Sequence, residues 1–536
     1  MAILIPVALG LVGVLLWLRK IGSREPGLPP GPPTVPLLGN LHMLPTEFAH
    51  YKFTEWARQY GGFYSLKVGP GTVIVLTDAA AVKELMDKRS ATTIDRPPMH
   101  LADVVTGGLN MVFARYTENW RTLRRTSHAI LTPQASARHL PIQQAEATQL
   151  LHDILRRPQS FYTDIRRYSN SVILSVLYGR RAPRYETLET TAFFKVQHEW
   201  ELVLEPGATP PIDMIPLLKY VPERWAKWKR DCARTRKAQR AVYFGLLEES
   251  EERLRRGEEN GSYMEEILTR QQEFGMDREI TGYLGGVLIE GGSDTTSSYL
   301  QSLILALVAY PEVQKKAHEE IDRVVGGHRM PTLDDLADMP YIRAMILENH
   351  RFRPVAPLMI PHMTLASEEY KGYIIPKGAT IFVNAWGIFH DPDLYDDPES
   401  FNPDRYLLTE NGTKPGVDGS DLRPNFAFGV GRRVCPGIHL AHNSININAM
   451  NLVWAFNFAP DTDAGGNPIK PDTWDYLKGV LTAPCPYKCA ISPRTAEKAE
   501  IIEREFLEAA DTFSKFEVGL SPEDQAFVVQ SRAHGH

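Results

Sequence analysis

Hydrophobic and polar positions divide the chain into stretches of different period. Ala2 to Leu18 is an apolar run broken only by Pro6, Gly10 and Gly13, and Arg19, Lys20 and Arg24 follow it at once. At about 1.5 Å per helical residue such a run spans about 25 Å, near the lower limit for crossing a hydrocarbon core of about 30 Å. Positive charge follows the run instead of preceding it, the reverse of a cleavable signal peptide, and Trp17 stands at the border. The pattern predicts a retained N-terminal transmembrane helix over residues 1–20, with the body of the chain left on the cytosolic side by the positive-inside rule. Pro26-Gly27-Leu28-Pro29-Pro30-Gly31-Pro32-Pro33 then excludes helix and central strand and predicts a stiff basic and proline-rich hinge over 21–40.

Helical spacing dominates the rest. Ile438, Ala441, Ile445, Ala449, Leu452, Val453 and Phe456 recur at threes and fours and predict a helix from Ile438 to Phe456. Arg278 to Ala309 reads as a long apolar helix interrupted by Gly291 and Gly292, each costing about 1 kcal/mol against alanine. Period-two alternation predicts a strand at Gly71 to Leu76, and Val355 to Ile360 and Tyr373 to Phe382 read as extended. Ala496 to His536 is charged, amphipathic around Ile501 to Phe513, and suggests no function.

Composition narrows the class. Apolar residues make up 43% and charged residues 23% of 536, an ordinary globular balance that excludes disorder and collagen. A formal net charge of -6 gives no basic footprint for nucleic acid. The four cysteines, Cys232, Cys435, Cys485 and Cys489, are too few and scattered for a disulfide framework and fit a reducing compartment.

One cysteine stands in a distinctive setting. Phe428-Gly429-Val430-Gly431-Arg432-Arg433-Val434-Cys435-Pro436-Gly437 is a glycine-hinged turn that opens directly into the Ile438 helix. With Pro436 as first helical residue, Cys435 is expected at the N-cap, where the helix end and two arginines favour a thiolate able to hold a metal. The alternative is a small buried hydrophobe in a tight turn.

The pattern Phe-x-x-Gly-x-Arg-x-Cys-x-Gly, on Phe428, Gly431, Arg433, Cys435 and Gly437, resembles the haem-binding loop of the cytochromes P-450, in which the cysteine thiolate is the axial ligand of the iron. Three further constellations resemble that family in its own order along residues 26–495. Gly291-Gly292-Ser293-Asp294-Thr295-Thr296 is similar to its distal helix, which implies an oxygen groove at Gly291 and Gly292, Thr295 hydrogen bonding at bound dioxygen, and Asp294 as proton relay. Glu348 and Arg351 at i and i+3, followed by Phe401-x-Pro403-x-Arg405, resemble a buried structural triad of Glu348, Arg351 and Arg405. Trp120 and Arg124, four apart on one helical face, resemble its propionate-binding helix, with Arg433 and His362 contributing and Arg96 a weaker candidate.

The resemblance implies a mainly α fold with a small β region, in which residues 41–495 form one haem-thiolate monooxygenase domain and 496–536 a C-terminal extension of unknown role. It implies haem b (iron protoporphyrin IX), dioxygen (O2) and electrons from NADPH through a cytochrome P-450 reductase, since no nicotinamide or flavin domain is visible in the chain. The implied location is the endoplasmic reticulum membrane, single-pass, with the catalytic domain cytosolic. The overall pattern resembles fungal natural-product hydroxylases acting on lipophilic small molecules. A desaturase or isomerase of the same family, or a non-catalytic haem sensor, are the alternatives. Pocket-lining segments are expected at His100 to Phe113, Gln197 to Tyr220, Leu284 to Glu290, Val355 to Ile360 and Gly479 to Thr482.

Overall fold

The computed structural model describes residues 20–205, 209–213 and 215–533. The transmembrane helix expected over 1–20 falls almost wholly outside them. Among the described residues no helix is long and apolar enough to cross a membrane.

The elements used below are named in chain order: α1 (Ala49–Tyr60), β1 (Phe63–Val68), β2 (Gly71–Leu76), α2 (Glu118–Ile130), α3 (Leu140–Arg156), α4 (Phe161–Tyr178), α5 (Leu188–Leu204), α6 (Lys227–Arg256), α7 (Arg278–Ala309), α8 (Pro340–Phe352), β3 (His362–Met363), β4 (Glu368–Tyr370), β5 (Tyr373–Ile375), β6 (Thr380–Val383), α9 (Ile438–Ala455), β7 (Phe456–Pro460), β8 (Cys489–Pro493), α10 (Ala496–Glu508), α11 (Ala510–Ser514) and α12 (Pro522–Ala533). Helices carry most of the chain, and the strands form one four-stranded sheet in the order β1-β2-β6-β3 and two separate pairs, β4-β5 and β7-β8. Within the larger sheet β2 and β6 run parallel, with Val73 opposite Thr380, while the other two pairings are antiparallel.

Two extended expectations are corrected. Tyr373 to Phe382 is not one strand, because Pro376 and the left-handed Gly378 (φ 81°) turn the chain between β5 and β6. Val355 to Ile360 is a bend and turn in which Met359 itself takes a positive φ of 50°. The proline-rich segment is stapled to the sheet edge. Ser65 N–H donates 2.8 Å to the Pro30 carbonyl, and Asn40 Nδ2 donates 2.9 Å to that of Pro33.

The core lies where α7 crosses the molecule between α4 and α9. Apolar side chains of α3, α4, α7, α8 and α9 form one continuous buried cluster. The C-terminal extension belongs to it. Ile501, Ile502, Phe506, Phe513 and Phe516 are all buried there, which explains the amphipathic spacing in the tail. Charges close the same junction. Glu146 of α3 sits between Arg167 (2.5 Å) and Arg181 (2.8 Å), and Arg181 reaches Glu517 of the tail at 2.6 Å. The Arg181 guanidinium lies 3.5 Å over the Phe513 ring, and the His152 ring stacks on Phe506 at 4.0 Å.

Candidate active site

A cavity of about 600 Å³ opens beside α7. Its floor is the loop before α9. Gly429 and Gly431 both take positive φ (94° and 58°), and a Cβ on Gly431 would stand 2.2 Å from the Met86 carbonyl oxygen, so the sharp turn requires glycine there. Cys435 N–H donates 2.8 Å to the Phe428 carbonyl, which closes the loop and brings the thiol to the cavity. Cys435 is not the N-cap. Helix α9 begins at Ile438 with Gly437 as N-cap, since Pro436 and Gly437 form a turn of their own. Burial pushes the Cys435 thiol up, against the opposing pull of the Gly437 N–H and the Arg124 guanidinium. A bound metal would therefore have to supply the thiolate's stabilisation.

The Phe428 ring lies on the cavity floor, met edge-on by His350 (5.2 Å between centroids) and His442 (4.9 Å). Burial holds His350 down to about 3, so it packs there as a neutral ring.

Three arginines crowd the same wall. Arg433 stacks on Trp120 at 3.9 Å and donates to the carbonyls of Ile94 (2.9 Å), Met111 (3.2 Å) and Ala114 (3.0 Å). Arg96 donates to Val112 (2.9 Å), Ile360 (2.8 Å) and Pro361 (2.9 Å). Arg124 donates to the Val434 carbonyl, and its buried Nε has no partner. Trp120 gives its own N–H to Met111 (3.1 Å), so its contribution to the cavity is to carry Arg433. Burial pushes the Arg433 guanidinium down to about 9 and Arg96 well below its usual range, the latter worsened by its neighbours Arg433 and Arg124. Buried His362, bonded through Nδ1 to the Thr93 carbonyl (2.9 Å), is kept neutral by burial and by Arg96.

On the opposite wall α7 presents Gly291 and Thr295. A Cβ on Gly291 would meet open space, whereas one on Gly292 would stand 2.7 Å from Ile173 of α4. The two glycines therefore differ in purpose: Gly291 widens the cavity, and Gly292 lets α4 approach. Thr295 Oγ1 donates 2.7 Å to the Gly291 carbonyl. Asp294 does not line the cavity with Thr295. Burial pushes its carboxyl up, with Arg166 opposing.

Glu348, Arg351 and Arg405 come together below the loop, all buried. Arg351 Nε and Arg405 Nε reach Glu348 at 2.7 Å and 3.1 Å. Arg351 also donates to the carbonyls of Phe389 (2.8 Å), Pro398 (2.8 Å) and Ser400 (3.0 Å), which pins the irregular segment to α8.

The expected lining segments reach the cavity in part: Met111 to Phe113, Gln197 to Glu205, Glu290, Val355 to Ile360 and Gly479 to Leu481 contribute, His100 and Leu284 do not. Ser169, Val172, Ile173 and Leu177 of α4 also line it, and sequence reasoning missed them because a core helix facing a cavity has the same apolar pattern as one facing another helix. Gly431 stands in the loop behind the floor, while Gly437 lines the floor and leaves open space at its Cβ position.

The residues present fit a haem. The half-buried Cys435 thiol lines a mainly apolar cavity that is open at Gly291. Beside it, the buried Arg96 and Arg124 and the half-buried Arg433 have no carboxylate within ion-pair distance among the described residues, a cluster that calls for an anionic group such as a pair of propionates.

Comparison with known proteins agrees. A family model described as Cytochrome P450 matches residues 29–490. The chain is 47% identical over 508 residues to a cytochrome P450 monooxygenase of Armillaria gallica, covering 95% of this chain and 97% of that one. It is 41% identical over 524 residues to a cytochrome P450 monooxygenase of Arthrobotrys oligospora, covering 94% and 96%. A solved zebra fish cytochrome P450 with abiraterone superposes with a TM-score of 0.67 at 26% identity, over 83% of this chain and all of that one.

Proposed function

This chain belongs to the cytochrome P450 family and is a haem-thiolate monooxygenase, and from that premise we propose that it oxidises a lipophilic small molecule of fungal secondary metabolism. The observation that carries the reading is the half-buried Cys435 thiol on the floor of a mainly apolar cavity whose facing wall is opened at Gly291. When bound, haem b supplies dioxygen activation and the insertion of one oxygen atom into the substrate.

The chain's own residues do the rest. Cys435, set by the Gly429–Gly431 turn, would hold the haem iron through its thiolate. Arg124 and Arg433, the latter carried by Trp120, would hold the anionic edge of the haem together with Arg96, and neutral His362 packs beside them. Phe428 and Gly437 line the thiolate side of the site. Thr295 presents a hydroxyl at the cavity wall, and Asp294 is a protonatable carboxyl one residue away on the same helix, so that protons reach the site from behind α7. Glu348, Arg351 and Arg405 hold the loop's foundation and touch no reactant. The apolar lining, with Val172, Ile173, Val287 and Leu481, selects a lipophilic ligand and excludes water.

Electrons come from an NADPH-dependent cytochrome P450 reductase on the same membrane. Residues 1–20 act as the anchor, 21–40 as the hinge, 41–495 as the catalytic domain on the cytosolic side of the endoplasmic reticulum, and 496–536 as an extension of that domain.

The visible spectrum of the dithionite-reduced protein with carbon monoxide tests the reading. A strongly red-shifted Soret band, lost in Cys435→Ser, is expected. An unshifted band in the native chain would overturn it.

A further inference from the structure

One residue before Gly291 on α7, Glu290 lines the mainly apolar cavity while remaining 91% buried, with 9% of its surface accessible. No cation lies within ion-pair distance among the described residues. Its Oε2 accepts from Asn110 Nδ2 at 3.1 Å, and its Oε1 accepts from the Tyr243 hydroxyl. Asn110 is oriented for this role, because its Oδ1 accepts the Val112 N–H at 3.0 Å and so turns the NH2 toward Glu290. Tyr243 comes from α6 and packs on Gly286, where a Cβ would stand 2.3 Å from its ring. Three separate parts of the chain thus converge to fix one carboxyl.

A carboxylate offers about four lone-pair positions, and two are taken here. Leaving the remainder buried and unpaired is costly, and burial accordingly pushes Glu290 up to about 7. Acceptors recur nearby on the wall at Glu201, Gln197 and Ser169. Positive charge does not: the guanidiniums of Arg96, Arg124 and Arg433 belong to the wall beside Cys435, and Lys478 is paired with Glu205 (2.7 Å) and Glu47 (3.0 Å). This stretch of wall suits a ligand group that donates a hydrogen bond and disfavours an anion.

We propose that Glu290, held by Tyr243 and Asn110, is a specificity-determining residue that accepts a hydrogen bond from a hydroxyl group on an otherwise apolar substrate. The proposal rests on the monooxygenase reading of the same cavity, and it narrows the substrate class to hydroxylated lipophilic molecules and against carboxylic acids.

Equilibrium dialysis of the full-length haem-loaded protein against para-butylphenol, para-butylanisole and para-butylbenzoate tests it, with the carbon monoxide spectrum of every variant recorded in parallel. The phenol is expected to bind about 10-fold or more tighter than its methyl ether, the range of a hydrogen bond to a charged acceptor, and the benzoate weakest. Glu290→Leu brings the phenol to the affinity of the ether. Glu290→Gln keeps an acceptor of the same shape, so it retains part of the phenol preference while the benzoate gains. Equal binding of phenol and ether to the native protein, or a preference that survives Glu290→Leu with an intact spectrum, overturns the proposal and leaves the monooxygenase reading standing. Absence of the red-shifted band in the native protein would instead strike the underlying reading.

Discussion

The Thr295 hydroxyl donates to the Gly291 carbonyl at 2.7 Å, so its proton is held by the helix while its oxygen keeps lone pairs free. Turning that proton toward a ligand breaks one hydrogen bond, a cost of about 1 kcal/mol, low enough for a group that must act in both directions. Thr295→Ala is expected to lower product formed per NADPH by about 100-fold, within the usual reach of a positioned proton donor, while the carbon monoxide band stays unchanged. Simultaneous loss of the band would reveal a structural role. Glu290 makes a second prediction. Its folded-state value of about 7 lies above the carboxylate value of 4.5, so the folded protein binds the extra proton between those limits. Stability is then full below about pH 4.5 as far as this group is concerned, and its contribution is lost as pH rises through about 7. Thermal melts across that window should slope downward with pH, and Glu290→Gln should make the slope shallower without abolishing it, because burial also raises Glu201 and Asp164 to about 7. At this scale the sequence was unevenly readable. Cys435 and its neighbours carry their spacing within ten residues, whereas the meeting of Asn110, Tyr243 and Glu290 has no local pattern because it exists only after three distant segments pack.

Elements repeat the lesson with a different cause. The paired glycines of α7 look equivalent in the sequence, and both lower the propensity of the same helix, yet a Cβ on one would meet open space and on the other would stand 2.7 Å from Ile173. Gly291→Ala should raise the unfolding free energy by up to about 1 kcal/mol of helix propensity and narrow the cavity. Gly292→Ala should lower it by about 1–3 kcal/mol in denaturant unfolding, since a β-branched neighbour and a helix must both shift. Equal effects would refute the division of roles. The helices α7 and α9 were legible from their apolar positions, and α8 only through the Glu348 and Arg351 spacing. The turn between β5 and β6 was not, because Pro376-Lys377-Gly378 lies inside a run whose residues otherwise favour strand. Beneath the loop, Glu348→Gln leaves Arg351 and Arg405 buried without their anion, a loss of about 3–5 kcal/mol. The expected result is protein that no longer retains haem, measured as the ratio of Soret to protein absorbance, and retention at the native ratio would count against the triad's role.

Across the whole molecule the tail is the least expected part, for the sequence offered charge and a short amphipathic stretch without saying what they pack on. The family model ends at residue 490, but the core does not. Ending the chain after Thr495 removes seven buried apolar side chains, Ile501, Ile502, Phe506, Phe513, Phe516, Leu520 and Val528. At about 1.5–3 kcal/mol each, that rivals the roughly 5–15 kcal/mol by which a domain is stable. Such a truncation should yield no soluble haem-loaded protein. The milder Phe513→Ala, which also removes the ring beneath Arg181, should cost about 3–5 kcal/mol in denaturant unfolding and leave the carbon monoxide band in place.

The link from Arg181 to Glu517 also bears on the order in which the protein folds. The pairs of Glu146 with Arg167 and Arg181 close over 21 and 35 residues, whereas Arg181 and Glu517 are 336 residues apart. Contacts of such long range carry the larger loop-closure entropy and form late, so the tail is expected to dock onto a junction of α3 and α4 that has already formed.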